Sequence, residues 1–193
     1  SQVDREYRRC LLSYDKGLRQ RNKLLDNIRD GLAGRHQLYF WDRLLIKNGE
    51  YITESRGKYL AGLSKGDEIY EAEYDKSVIS ESRLKQYELE EVAAGSTLVG
   101  PHRDDFLVKL KEKDVSKYGS RGEQRMAMLW LKLGERNLLK EKDVLPVLLL
   151  DDVFSELDHK HRDEVVGLVE DQVKGGGQVV MTTADSHLVP KIK

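Results

Sequence analysis

Four apolar residues followed by two acids, Val147-Leu148-Leu149-Leu150-Asp151-Asp152, have the form of a buried strand that delivers carboxylates to the carboxyl edge of a sheet, where α/β proteins bind ligands. Acids placed there suit phosphate chemistry, with Asp151 holding Mg2+ through water and Asp152 orienting or deprotonating an attacking water. Upstream, Tyr118-Gly119-Ser120-Arg121-Gly122-Glu123-Gln124-Arg125 leads small residues straight into a helix. A helix start carries free N–H groups and about half a positive charge, so Ser120 and the Gly122 amide could grip a phosphate. The same residues also fit a plain cap, with Glu123 three positions after Ser120 as a capping box. Downstream, Ser155-Glu156-Leu157-Asp158 is a polar loop entering the next helix, where Asp158 could cap. A competing chemistry groups His102, Asp104 and Asp105 with Asp151 and Asp152 as ligands of two metal ions in a phosphoesterase. The bland alternative for that block is a strand-turn-strand closed by Arg103 pairing with a carboxylate.

The elements that must position these residues follow from periodicity. Tyr7, Cys10, Leu11, Tyr14, Leu18, Leu25, Ile28 and Leu32 paint one stripe of a long helix that Gly31 and Gly34 stop. Leu38, Trp41, Leu44, Leu45, Ile52, Tyr59, Leu60 and Leu63 predict a second helix, antiparallel to the first and interrupted near Asn48-Gly49. Tyr70, Ala72 and Tyr74 alternate with charged residues as in a half-exposed strand, and 80–94 reads as helix ending at Gly95. Beyond it, 97–99 and 106–110 read as strands around Gly100-Pro101, then come a helix over 122–140, a strand over 146–150, a helix over 160–173 and a strand over 178–182. Strand, helix, strand at these lengths is a parallel α/β unit. The boundary falls near Gly95, giving a helical lobe, 1–95, and an α/β part, 96–193.

Composition narrows the classes. No run approaches the roughly 20 apolar residues that span a bilayer, and Ser1-Gln2-Val3-Asp4-Arg5 lacks the apolar core of a signal peptide, which argues against membrane insertion and secretion. The single cysteine, Cys10, cannot form an internal disulfide, so a reducing, cytoplasmic setting is expected. The formal net charge is -1, but residues 1–50 hold 11 Lys and Arg against 7 Asp and Glu. Arg5, Arg8, Arg9, Arg19, Arg21 and Lys23 therefore either make a solvated helix face or contact a DNA backbone.

Loop, helix, acid-tipped strand and Ser-x-Leu-Asp loop, in that order between Tyr118 and Asp158, resemble the signature loop, Walker B strand and D-loop of an ABC-type ATPase head. With Gly100-Pro101-His102-Arg103-Asp104-Asp105, and with the segment from Tyr14 to Asn22, which resembles the entry to a helical lobe, they make the chain similar to the RecF family of bacterial DNA replication and repair proteins. The Asp-Asp pair favours that family over Rad50 or SMC heads, whose strand normally ends Asp-Glu; a generic head fragment of that type is the alternative. The resemblance implies an α/β fold that is part of an ABC-type P-loop ATPase head, plus an inserted helical lobe. It implies slow ATP hydrolysis with Mg2+, and an ATP-dependent homodimer on DNA at single-strand/double-strand junctions. It also implies cooperation with RecR and RecO to load RecA in recombination and the SOS response. By the same resemblance Ser120, Gly122 and Gln124 face the nucleotide of a partner subunit, Asp151 belongs to the Mg2+ site, Asp152 is the hydrolytic base, and Ser155 and Asp158 lie in the D-loop. Two departures stand out. Arg121 and Glu123 occupy positions where Gln or similar residues are expected. No Gly-x-x-x-x-Gly-Lys-Ser/Thr occurs, and Gly175-Gly176-Gly177 reads as a turn. The chain thus looks like the C-terminal half of such a protein, inactive as an ATPase alone, or a DNA- or partner-binding module without a P-loop. Thr182 or Thr183 fits the place of a switch histidine better than His187 does.

Overall fold

The computed structural model describes residues 4–65, 69–139, 145–155 and 157–183. Asp4 opens α1 (Arg5–Arg29) by accepting the Tyr7 N–H at 3.0 Å, satisfying one of the amides that every helix start leaves without a partner. Asp30 and Gly31 close it, with Gly31 at φ 74° in the left-handed region. A 3-10 turn, Arg35–Leu38, leads into α2 (Tyr39–Ser64). The two helices are antiparallel, because Tyr7 meets Arg56, Tyr14 lies against Gly49 and Arg21 meets Asp42.

The expected break near Asn48-Gly49 is absent, and α2 runs through it. Asn48 donates its side-chain amide to the Leu44 carbonyl at 2.7 Å, and Gly49 serves packing instead of termination. A Cβ on Gly49 would stand 2.7 Å from Ile79 Cγ2 and 3.2 Å from Tyr14 Cε2, so the neighbours already fill that space. Around this crossing Cys10, Tyr14, Leu45, Ile52, Ile79, Leu84 and Val99 form a buried core.

The half-exposed strand is β1 (Tyr70–Asp75), and the predicted helix over 80–94 is two short ones, α3 (Glu81–Gln86) and α4 (Glu88–Ala94), closed by Gly95 at φ 62°. The expected strand over 97–99 does not form. That segment is extended but tied down by side chains: Thr97 donates its N–H to Asn22 Oδ1 at 2.9 Å, and Leu98 donates its N–H to Glu91 Oε1 at 2.8 Å. Accordingly 96–107, which the change in composition assigns to the second part, packs with the helices; the two compact units are 1–65 with 72–107, and 66–71 with 108–193.

The strand β2 (Asp105–Leu110) begins in the first unit and ends in the second, where Lys109 and Leu110 pair antiparallel with β3 (Lys113–Asp114) through a turn whose Lys111 and Glu112 both have positive φ, the hand that matches strand twist. After α5 (Val115–Tyr118), α6 (Arg121–Leu138) precedes β4 (Leu148–Leu150), and α7 (His159–Lys174) joins it to β5 (Val179–Met181). β4 and β5 are parallel, with Leu148 opposite Val179 and Leu150 opposite Met181, as the α/β reading predicts. Met126, Leu129, Phe154, Leu157, Val165 and Val169 are the buried centre of this unit. β4 is not buried on both faces, however: Leu148 is inside, whereas Leu149 and its neighbour Val180 are 72% and 52% exposed. No helix among the described residues is long and apolar enough to cross a membrane.

Candidate functional site

The acids lie in the turn directly after β4. Thr182, whose N–H donates to the Leu150 carbonyl at 2.9 Å, donates its hydroxyl to Asp151 Oδ1 and accepts the Asp152 N–H at 3.1 Å. One threonine thus fixes both acids from the end of the parallel neighbour strand. Asp152 sits at φ 46°, a conformation uncommon outside glycine. Its carbonyl accepts from Arg125 Nη1 at 3.2 Å and from the Ser155 hydroxyl at 3.2 Å. Its carboxylate has no hydrogen bond or ion pair among the described residues.

Ser120 is the N-cap of α6, and the capping box is complete: the Glu123 N–H donates to Ser120 Oγ at 3.3 Å and the Ser120 N–H to Glu123 Oε2 at 2.7 Å. That backbone bond holds the Glu123 carboxyl below the usual carboxylate range. Gln124 folds its amide back onto the carbonyls of Gly119, at 3.2 Å, and Val115, at 3.3 Å, bracing the loop that leads to α6. Replacing Ser120 with Ala is expected to cost about 1 kcal/mol in urea denaturation through loss of the cap. Asp158 caps α7, accepting the His161 N–H at 2.9 Å and bonding His161 Nδ1 at 2.8 Å. The His161 ring in turn covers Gly122, where a Cβ would stand 2.9 Å from Nδ1. The two loops therefore meet through His161.

The His102 block is a structural bolt. His102 Nε2 bonds the Thr97 carbonyl at 3.0 Å, which makes it the protonated nitrogen, and Nδ1 accepts from the Tyr14 hydroxyl at 2.9 Å. Burial pushes the imidazole below its ordinary pKa and the Tyr14 phenol well above its own, so both stay neutral. Asp104 accepts from Arg56 Nη1 at 3.0 Å, from the Ser77 N–H at 2.8 Å and from the Tyr74 hydroxyl. Asp105 turns onto the Phe106 N–H. With His102 and Asp104 committed to protein partners, and with no cluster of three His, Cys, Asp or Glu among the described residues, the two-metal arrangement is not supported.

On α1, positions 5, 8, 9, 12, 16, 19, 20 and 23 fall within about 60° of one line along the helix. They carry Arg5, Arg8, Arg9, Lys16, Arg19 and Lys23, all exposed, and no carboxylate joins that face before Asp26, which has the phase of Arg8. Arg9 pairs with Glu6, while the other five have no hydrogen bond or ion pair among the described residues. Arg21 must be removed from the DNA-contact set. It is 2% exposed on the opposite side, bound to Glu91 Oε2 at 2.7 Å, Asp42 Oδ1 at 2.6 Å and Thr97 Oγ1 at 2.8 Å.

No protein-family model matches the chain. The DNA replication and repair protein RecF of Herpetosiphon aurantiacus is 37% identical over 96% of this chain and 52% of its own length. RecF of Lachnoclostridium phytofermentans is 40% identical over 86% and 52%, and that of Moorella thermoacetica 38% over 98% and 54%. The chain belongs to the RecF family. It spans about half the length of the RecF relatives it matches. A solved structure of the recombination mediator protein RecF-ATPrS in the RecFOR pathway superposes with a TM-score of 0.76 at 31% identity, covering 95% of this chain and 55% of that one. A second, of RecF-ATP, gives 0.76 at 32% identity, covering 95% and 54%. The RecF likeness makes the parallel β4–α7–β5 unit part of an ABC-type ATPase head.

Within this RecF-family chain the structure joins Asp151, Asp152, Ser155, Arg125 and Thr182 at one turn, and Gly122, Asp158 and His161 at another contact. His187 lies outside the described residues. Sequence reading missed Lys16, whose signal was its phase on α1; Arg125, whose partner is the remote Asp152 carbonyl; and His161, whose signal was its place three residues after the capping Asp158.

Proposed function

We propose that this chain is the part of a RecF-type DNA repair protein that holds DNA through its phosphates and presents the acid turn and signature loop to ATP. The observation that carries the DNA reading is the α1 face: five unpartnered cations along about 27 Å of helix, with no carboxylate among them. Arginine and lysine side chains bind phosphates, and such contacts carry no sequence information. Anisotropy of a labelled duplex titrated with the chain tests it; absence of binding at about 50 mM salt contradicts it.

The acid turn fits Mg2+ in part. Thr182 engages one oxygen of the exposed Asp151 carboxylate, and the other can take a metal-bound water; Mg2+ would supply neutralisation of phosphate charge. The left-handed conformation of Asp152 and its unpartnered carboxylate support reading it as the group that orients a water. Nothing in the chain matches the Gly-Lys cradle for the β- and γ-phosphates. The chain alone is therefore expected to show no ATP turnover above background in a steady-state assay. In the longer protein, Asp152→Asn is expected to slow hydrolysis about a hundredfold or more with ATP still bound, whereas Asp151→Asn weakens Mg2+ dependence first. Identical behaviour of the two variants contradicts the separate roles. Ser120, Gly122 and Gln124 would face a second subunit's nucleotide in an ATP-dependent homodimer, with Ser155 and Asp158 beside that interface. RecR, RecO and RecA are the protein partners, and the cytoplasm the site of action, that family membership suggests.

A further inference from the structure

The basic face of α1 runs into a groove of about 320 Å³ lined by Gln20, Lys23, Leu24 and Asn27 of α1, Gln37 of the 3-10 turn and Trp41 of α2. Gln20 and Lys23 belong to both the face and the groove. The groove is shallow and open to solvent, so whatever occupies it keeps one side exposed. Its polar lining is uncommitted: the side chains of Gln20, Lys23, Asn27 and Gln37 and the Trp41 indole N–H have no hydrogen-bond partner among the described residues. The Trp41 ring is set nearly perpendicular to Phe40, with centroids 4.9 Å apart, which fixes its plane.

We propose that this groove receives an unpaired DNA base from a strand whose backbone follows the α1 face. The proposal rests on the reading that this face holds phosphates. An indole stacks on any base, since every base has a π-face. Three amides, each with a donor and an acceptor side, can meet the edges of different bases. Lys23, shared with the basic face, takes the adjoining phosphate. An acidic peptide would satisfy the cations equally well, but it brings a ring to the indole only where it carries an aromatic residue, whereas every nucleotide brings a planar base with a hydrogen-bonding edge.

The test uses the chain with Trp130→Phe, which keeps the ring beside Tyr70 and leaves Trp41 as the only indole of the two in the sequence. Titration with oligothymidylate is expected to quench Trp41 emission, and a blunt duplex to leave it nearly unchanged while still binding by anisotropy. The exposed-side changes Asn27→Ala with Gln37→Ala are expected to weaken oligothymidylate binding about fivefold or more and to leave duplex binding within twofold. Trp41→Ala, with folding checked by circular dichroism, is expected to cost the single strand about tenfold. Duplex binding without any change of Trp41 emission on oligothymidylate, or equal loss of both DNAs in the double variant, overturns the groove assignment alone. Failure to bind either DNA overturns the backbone reading beneath it as well.

Discussion

Glu91→Ala is expected to lower the unfolding free energy of the helical unit by about 3–5 kcal/mol, the usual cost of removing one partner of a buried ion pair. Glu91 is fully buried, with one oxygen on Arg21 and the other on the Leu98 N–H, so its loss strands a buried guanidinium and an amide together. Asp42, also bound to Arg21, is only partly buried and cannot replace the lost charge at the far end of the fork. Thr97 links the same guanidinium to Asn22, because its hydroxyl accepts from Arg21 and donates to Asn22 at 2.7 Å. Replacing both charges, as in Arg21→Met with Glu91→Leu, is expected to recover much of the loss, since two apolar groups leave no unpaired charge. Urea denaturation followed by Trp41 emission in the Trp130→Phe background measures both. A Glu91→Ala cost below about 1 kcal/mol would mean that the pair is hydrated and not a structural centre.

The same arginine shows what the sequence made legible. At 100° per residue, position 21 lies in line with Cys10, Tyr14 and Leu25, the buried stripe, while 5, 8, 9, 19 and 23 lie opposite. Helical phase alone separates Arg21 from the other cations; charge counting does not. Its partners at 42, 91 and 97 were not legible, since pairing across 21 to 76 positions carries no local signal. Local rules failed where packing outweighs propensity. Asn48-Gly49 reads as a breaker, yet Gly49 is there because Ile79 and Tyr14 need its space. Thr97-Leu98-Val99 has strand composition, yet its amides go to side chains of Asn22 and Glu91. The acid turn was readable from four apolar residues and two acids; that Thr182 would bind both acids required the parallel register of β4 and β5. The burial expected of β4 holds for Leu148 and not for Leu149, whose face is open in this chain.

DNA binding should fall steeply with salt, and the five unpartnered cations of α1 should account for most of the slope. Each phosphate contact contributes about 0.9 to the slope of log K against log salt. Five contacts give about 4.5, a loss of affinity of about 500-fold for a fourfold rise in salt. Arg9, already paired with Glu6, should contribute less than any of the five. Because the contacts are to phosphates, two duplexes of unrelated sequence should give the same slope and nearly the same affinity. The decisive measurement is the salt dependence of duplex binding for the native chain and for a variant with Arg5, Arg8, Lys16, Arg19 and Lys23 all changed to Gln. The account predicts a slope flattened by about 4.5 in the variant on both duplexes; a slope unchanged within error would contradict it and return α1 to a solvated helix face.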